Sequence, residues 1–113
     1  MQKLIVSILI GCIGCATLVS ASEINQATIK RLMLDRVFEG KVFVQLNKHQ
    51  SAPIECHDND HWEYVLDITD DYGKAMYSTL LSLHASGKAG LFRGDETCSL
   101  YHSAETLRRV EAK

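Results

Sequence analysis

Residues 4–19 contain no charged side chain, and this run lies between Lys3 and the small-residue exit Val19-Ser20-Ala21. A short positive start, an apolar core and small residues at the end are what an export machinery and its peptidase read. Residues 1–21 are therefore expected to leave as a signal peptide, and residues 22–113 to fold as a single domain. About 92 mature residues can bury one small core and are too few for two. That excludes large multidomain enzymes and proteins that cross a membrane many times. Leu9-Ile10-Gly11 ahead of Cys12 also has the form of a lipobox, which would make Cys12 a lipid-bearing first residue, although the apolar core before it is short. A retained anchor would need roughly 20 apolar residues. The glycines and cysteines of the run and its small-residue exit favour cleavage after Ala21, so no stable membrane span is expected afterwards and the product is placed in the periplasm or outside the cell.

The complete chain has 12 basic and 14 acidic residues and a net charge of −2, and loss of Lys3 with the signal takes this to −3. Nucleic-acid binding needs a basic surface to replace the counterions on phosphate, so that class of partner is excluded. Four cysteines are present, and Cys12 and Cys15 leave with the signal. Cys56 and Cys98 remain, and two cysteines in an oxidising compartment allow a single intramolecular pairing. Closing that loop stabilises a small domain by roughly 4 kcal/mol on the chain-entropy model. The alternative is a pair of free, buried thiols.

No repeat, low-complexity run or Pro-rich linker interrupts residues 22–113, and the one proline is Pro53. Residues 22–27 read as a polar, flexible or weakly paired lead-in. Residues 28–37 mix Ile29, Leu32, Leu34 and Val37 with charged neighbours, a pattern open to a strand or a helical turn. Lys-Val-Phe-Val-Gln-Leu at 41–46 reads as a strand, and Gly40 offers a turn between the two, which favours a hairpin. Residues 47–60 form the longest loop. From Trp62 to Ile68 the alternation places Trp62, Tyr64, Leu66 and Ile68 on one face and Glu63, Val65 and Asp67 on the other, a half-buried strand. Thr69 or Asp70 can cap a helix carrying Tyr72, Met76, Leu80 and Leu83 at helical spacing, with Gly87 at its C-terminal end. Residues 89–93 and 98–101 are short strand candidates around a turn at 94–97, and the tail is open between a helical turn at 104–109 and a last strand at 109–112.

Strand, strand, strand, helix, strand, strand is the order of the five-stranded OB barrel, whose helix lies between strands three and four. The expected fold is thus mainly β (α+β), a five-stranded OB-like barrel with a single disulfide. An α+β sandwich is the alternative. Length, export signal, element order and the single disulfide make the chain similar in architecture to the B subunits of bacterial AB5 toxins. The resemblance implies an OB-fold pentamer that binds host glycans. It is architectural, and no sugar-binding residue of that family aligns here. The runs Trp62-Glu-Tyr-Val-Leu-Asp-Ile, Gly73-Lys-Ala-Met-Tyr-Ser-Thr-Leu-Leu and Cys98-Ser-Leu-Tyr also resemble small exported proteins of marine and enteric bacteria, a likeness that implies no activity.

Cys56-His57-Asp58-Asn59-Asp60-His61 is the densest group of metal-ligand types. His57 and His61 would share a face on a helix and suit zinc or copper. Pro53 and the Asn-Asp pair argue for a solvated loop, and the stretch lacks the glycine and distal glutamate of a calcium loop. Ser78, Ser82 and Ser99 have no nucleophile elbow around them, and His84 reads as a hydrogen-bonded histidine beside the apolar stripe of the helix. Asp70 and Asp71 are better explained by the helix dipole than by glycoside chemistry. Arg93-Gly94-Asp95 spells an integrin tripeptide, for which an ordinary turn is the simpler account. The same turn joins strands four and five, beside the ligand face of OB folds, so Arg93, Asp95 and Glu96 are the expected ligand contacts. Phe43, Trp62 and Tyr64 could stack sugars but are expected inside the barrel. The leading expectation is an exported, non-enzymatic binding module without cofactor, metal or catalytic residue, open to self-association, whose ligand is a glycan or a protein. Its rival is a periplasmic metal-binding protein or metal-dependent enzyme using the His57/His61 loop.

Overall fold

The computed structural model describes residues 22–113, so the expected signal and Cys12 lie outside the described residues. The elements are β1 (Glu23–Ala27), β2 (Ile29–Met33), a 3-10 turn (Arg36–Phe38), β3 (Lys41–Leu46), β4 (Tyr64–Asp67), α1 (Asp71–Ser86), β5 (Gly90–Gly94) and β6 (Glu105–Ala112). The strands form a mostly-β α+β fold with one open six-stranded sheet in the order β1-β5-β6-β4-β3-β2. Its pairings are antiparallel except for β4 beside β6, which is parallel. Thr28 alone separates β1 from β2, yet they occupy opposite edges. One bent run of chain therefore pairs with β5 through its first half and with β3 through its second.

This corrects the expected count of five strands in a closed barrel with the helix after the third. Among the described residues six strands are present, the sheet is open, and α1 follows the fourth. The extra strand is β1, where a flexible lead-in was expected. Ile24 and Ala27 are 4% and 1% exposed there, but the register shifts between them and Gln26 takes a left-handed φ of 58°. That irregularity breaks the period-2 pattern by which a strand is recognised. Residues 98–101 are not a strand either, because Cys98 is held by a disulfide and the segment folds back through a Tyr101–Ala104 bridge. The returning strand is β6, which runs through the region that was ambiguous between helix and strand.

Helix α1 is built as its sequence suggests. Asp70 Oδ1 accepts from the Gly73 N–H at 2.7 Å, and Gly87 ends the helix at φ 69° with its N–H on the Leu83 carbonyl. Leu80 and Leu83 face the main core, which contains Ile24, Val42, Val44, Tyr64, Leu66 and Phe92. A second cluster lies on the opposite face of β3 and β4, where Phe43 meets the edges of Phe38, Trp62 and Tyr101. The aromatic residues are thus divided between the two faces. Trp62 does not continue the alternation from Tyr64, because Asn59 Oδ1 binds the Trp62 N–H at 2.8 Å and turns the chain just before β4. No helix of the described residues is long and apolar enough to cross a membrane.

Candidate functional site

The segment at 47–61 folds over one end of the sheet and is tied to the turn after β5 by the Cys56–Cys98 disulfide, whose Cα atoms are 6.2 Å apart. Beneath it opens a cleft of about 500 Å³ lined by His49, Gln50, Pro53, His57, Asp58, Asn59, Asp60 and Glu63. No Lys or Arg belongs to this lining. The inner wall is buried: Glu63 is 1% exposed and Gln50 7%.

Most of the buried polar groups of the wall hold one another. Glu63 Oε1 lies 2.5 Å from Nδ1 of the exposed His49. Gln50 Nε2 donates to Glu105 Oε1 at 3.0 Å. The Glu96 N–H donates to Glu105 Oε2 at 2.7 Å, and the Glu105 N–H donates to His57 Nδ1 at 3.1 Å. That last bond makes Nδ1 the acceptor of a neutral His57 and puts the ring proton on Nε2. Burial lowers the His57 pKa and raises those of Glu63 and Glu105, because desolvation penalises the charged form of each. Tyr64, also raised chiefly by burial, donates its hydroxyl to the Ser22 carbonyl at 2.6 Å. With the Gln50 nitrogen turned to Glu105, the amide oxygen Oε1 is buried and has no hydrogen-bond partner.

Of the expected ligand contacts, Arg93 pairs with Glu23 across β1 and β5 at 3.8 Å, and Asp95 is occupied by the Thr97 N–H and hydroxyl at 2.9 and 2.7 Å. Glu96 takes a left-handed φ of 67° and contributes its backbone N–H to Glu105. The turn thus reaches the cleft through Glu105 rather than through its own side chains. Gly94 has a packing reason inside the Arg-Gly-Asp tripeptide, since a Cβ there would lie 2.1 Å from Glu105 Oε2.

His57 lies in the cleft, but the histidine that shares the lining with it is His49, not His61. His61 is exposed, and its N–H binds Asn59 Oδ1 at 2.9 Å. Among the described residues no group of three or more His, Cys, Asp or Glu side chains is arranged to hold a metal ion. His84 lies on the exposed side of α1 with Nδ1 3.3 Å from the Ile29 carbonyl.

Sequence reasoning missed His49, Gln50, Glu63 and Glu105. In the sequence Glu63 reads as part of a polar strand face, and Glu105 as part of a segment open between helix and strand. The available signal was weak: a glutamate at an alternating position beside a tyrosine.

Comparison with protein-family models, with curated proteins and with solved structures finds no match to this chain.

Proposed function

We propose that the chain is an exported, non-enzymatic binding module whose ligand enters the cleft between residues 47–61 and the end of the sheet. The observation that carries the reading is Gln50 Oε1, a buried acceptor with no partner on the wall of that cleft. Buried polar atoms are nearly always paired, so an open one at a cleft suits a donor brought by a ligand. The carboxylates of Asp58, Asp60 and Glu63 line the same cleft and add acceptors for the hydroxyls of a glycan or the N–H groups of a protein. Self-association of the toxin-B-subunit kind belongs to the same reading. A glycan array and a pull-down from envelope extract, each run with the parent and with Asp58→Ala/Asp60→Ala, test it. A ligand lost by the variant is expected. Absence of any ligand, or a ligand held equally by both, refutes the cleft.

A second reading, transition-metal binding, is favoured by one observation. His49 and His57 share the cleft, and His49, with Nδ1 held by Glu63, keeps Nε2 for a metal, whereas His57 would have to give up the bond that its Nδ1 accepts from the Glu105 N–H. Metal content of the parent against His49→Ala and His57→Ala decides it, and equal content in all three removes it.

A further inference from the structure

The cleft beneath residues 47–61 has acceptors to spare and few donors. Gln50 is 7% exposed, lines the cleft and keeps Oε1 without a hydrogen-bond partner, while its nitrogen is taken by Glu105. Asp58 and Asp60 line the same cleft and are exposed. Among the described residues neither carboxylate enters a hydrogen bond or an ion pair.

The donors of the lining are mostly committed. Asn59 gives its Nδ2 to the Ser103 hydroxyl at 3.1 Å, and its Oδ1 accepts from the His61 and Trp62 N–H groups. His57 keeps one N–H, on Nε2, because its Nδ1 accepts from the Glu105 N–H. No Lys or Arg lines the cleft, and Lys48, just ahead of the lining in the chain, is held on the Asn25 carbonyl at 3.1 Å.

A negative cleft with spare acceptors selects a ligand that brings donors and positive charge. A primary ammonium brings three donors and no acceptor, its bonds to oxygen are stronger than those of a neutral donor, and a cleft lined by one sign of charge concentrates the opposite sign. Gln50 narrows the carrier. Its oxygen lies below the surface of the wall, and the end of an unbranched chain reaches a recessed atom more readily than an amine set on a sugar ring.

We propose that the ligand of this cleft is a lysine side chain of a partner protein, whose ammonium takes Gln50 Oε1 as an acceptor in the field of the Asp58 and Asp60 carboxylates. The proposal rests on the cleft reading and narrows its ligand from any donor to a cation.

The test titrates Nα-acetyl-lysine amide into ¹⁵N-labelled protein, against Nα-acetyl-norleucine amide, which has the same chain without the ammonium, and against glucosamine. Resonance shifts of the Gln50 side-chain amide and of residues 57–60 are expected with the lysine probe. Its dissociation constant should be at least about tenfold smaller than that of the norleucine probe, the scale of one hydrogen bond to a charged group. Asp58→Asn/Asp60→Asn removes charge at two exposed positions and should bring the two probes together. Equal binding of both probes by the parent, a preference that survives in the variant, or shifts confined to residues outside the cleft overturns the proposal. Tighter binding of glucosamine moves the ammonium to an amino sugar and overturns the protein partner. If no probe shifts the cleft, the lysine proposal falls, and the cleft reading falls with it only if the glycan array and the pull-down also yield no ligand.

Discussion

Glu105 and Gly94 offer a quantitative check on how the end of the sheet is held. Truncation of Glu105 to Ala leaves two donors without acceptors, the Gln50 amide and the Glu96 N–H. At about 1–3 kcal/mol for each buried unsatisfied donor, the loss is about 2–6 kcal/mol, a large part of the 5–15 kcal/mol typical of a whole domain. Gly94→Ala attacks the same arrangement from the other side. Its Cβ would overlap Glu105 Oε2, Cδ and Cγ at 2.1, 2.2 and 2.7 Å, and these are its three nearest neighbours. Displacing that carboxyl costs about 1–3 kcal/mol, the usual price of overpacking. In the Glu105→Ala background those atoms are gone, and Gly94→Ala should then cost only a few tenths of a kcal/mol, as surface changes do. Urea unfolding of the parent, the two single variants and the double variant at pH 7 gives the coupling directly. Additive losses would refute the claim that Gly94 is glycine because Glu105 fills its space.

Gly73 reverses a rule of helix propensity: Ala is better than Gly by about 1 kcal/mol in a helix, yet a Cβ at Gly73 would sit 1.9 Å from the Asp67 carbonyl oxygen. Gly73→Ala should therefore destabilise by about 1–3 kcal/mol, measured by the urea midpoint, and a stabilised variant contradicts the packing. Reduction of Cys56–Cys98, or Cys56→Ser/Cys98→Ser, should cost roughly 4 kcal/mol for a separation of 42 residues on the chain-entropy model. The nuclear magnetic resonance signals of His49 and His57 should shift on reduction, whereas unchanged stability and spectra show that the bond does not hold the cleft. The Glu63 carboxyl is raised from its ordinary 4.5 by burial, against the opposing effect of His49, so its contribution to stability is complete below pH 4.5 and is lost as pH rises through the raised value. His57 is lowered from 6.5, so its contribution is present above pH 6.5 and is lost as pH falls through the lowered value. Glu63→Gln should flatten the loss on the rising side alone, and unfolding curves for parent and variant that stay parallel across pH contradict it.

What could be read from the sequence followed regular periodicity and strong local chemistry. α1 was legible because Asp70, Leu80, Leu83 and Gly87 occupy cap and stripe positions that few other structures use, and β3 because a β-branched, aromatic run admits little else. The disulfide was legible because Cys56 and Cys98 are the two cysteines outside the expected signal. β1 was hidden by its bulge and by Gln26 at a left-handed φ. The site was hidden for a different reason. His49, Gln50, Glu63 and Glu105 are up to 56 positions apart in the chain, and Glu63 and Glu105 come to the same end of the sheet only because β4 and β6 pair in parallel with Tyr64 opposite Glu105. Parallel pairing leaves no hairpin signal in the sequence, and a charged residue at the start of a strand reads as a solvated edge unless its partner is known.

The register of β4 and β6 also explains why one end of the molecule carries so much buried polarity. Tyr64 opposite Glu105 places a phenol and a carboxyl in neighbouring strands just where both strands begin, and the chain that enters each strand must cross that end. Residues 47–61 arrive there before β4, and residues 95–104 before β6, with the disulfide between them. Ser22 reaches the same place because β1 pairs with β5, whose last residue Gly94 donates to the Ser22 carbonyl. Glu105 therefore joins two segments: through Gln50 the loop that forms the cleft, and through Glu96 the turn after β5. A carboxylate can accept about four hydrogen bonds and an amide oxygen only about two. A junction of several donors at a fully buried position thus favours an acid over an amide, and the burial that comes with it raises the Glu105 pKa.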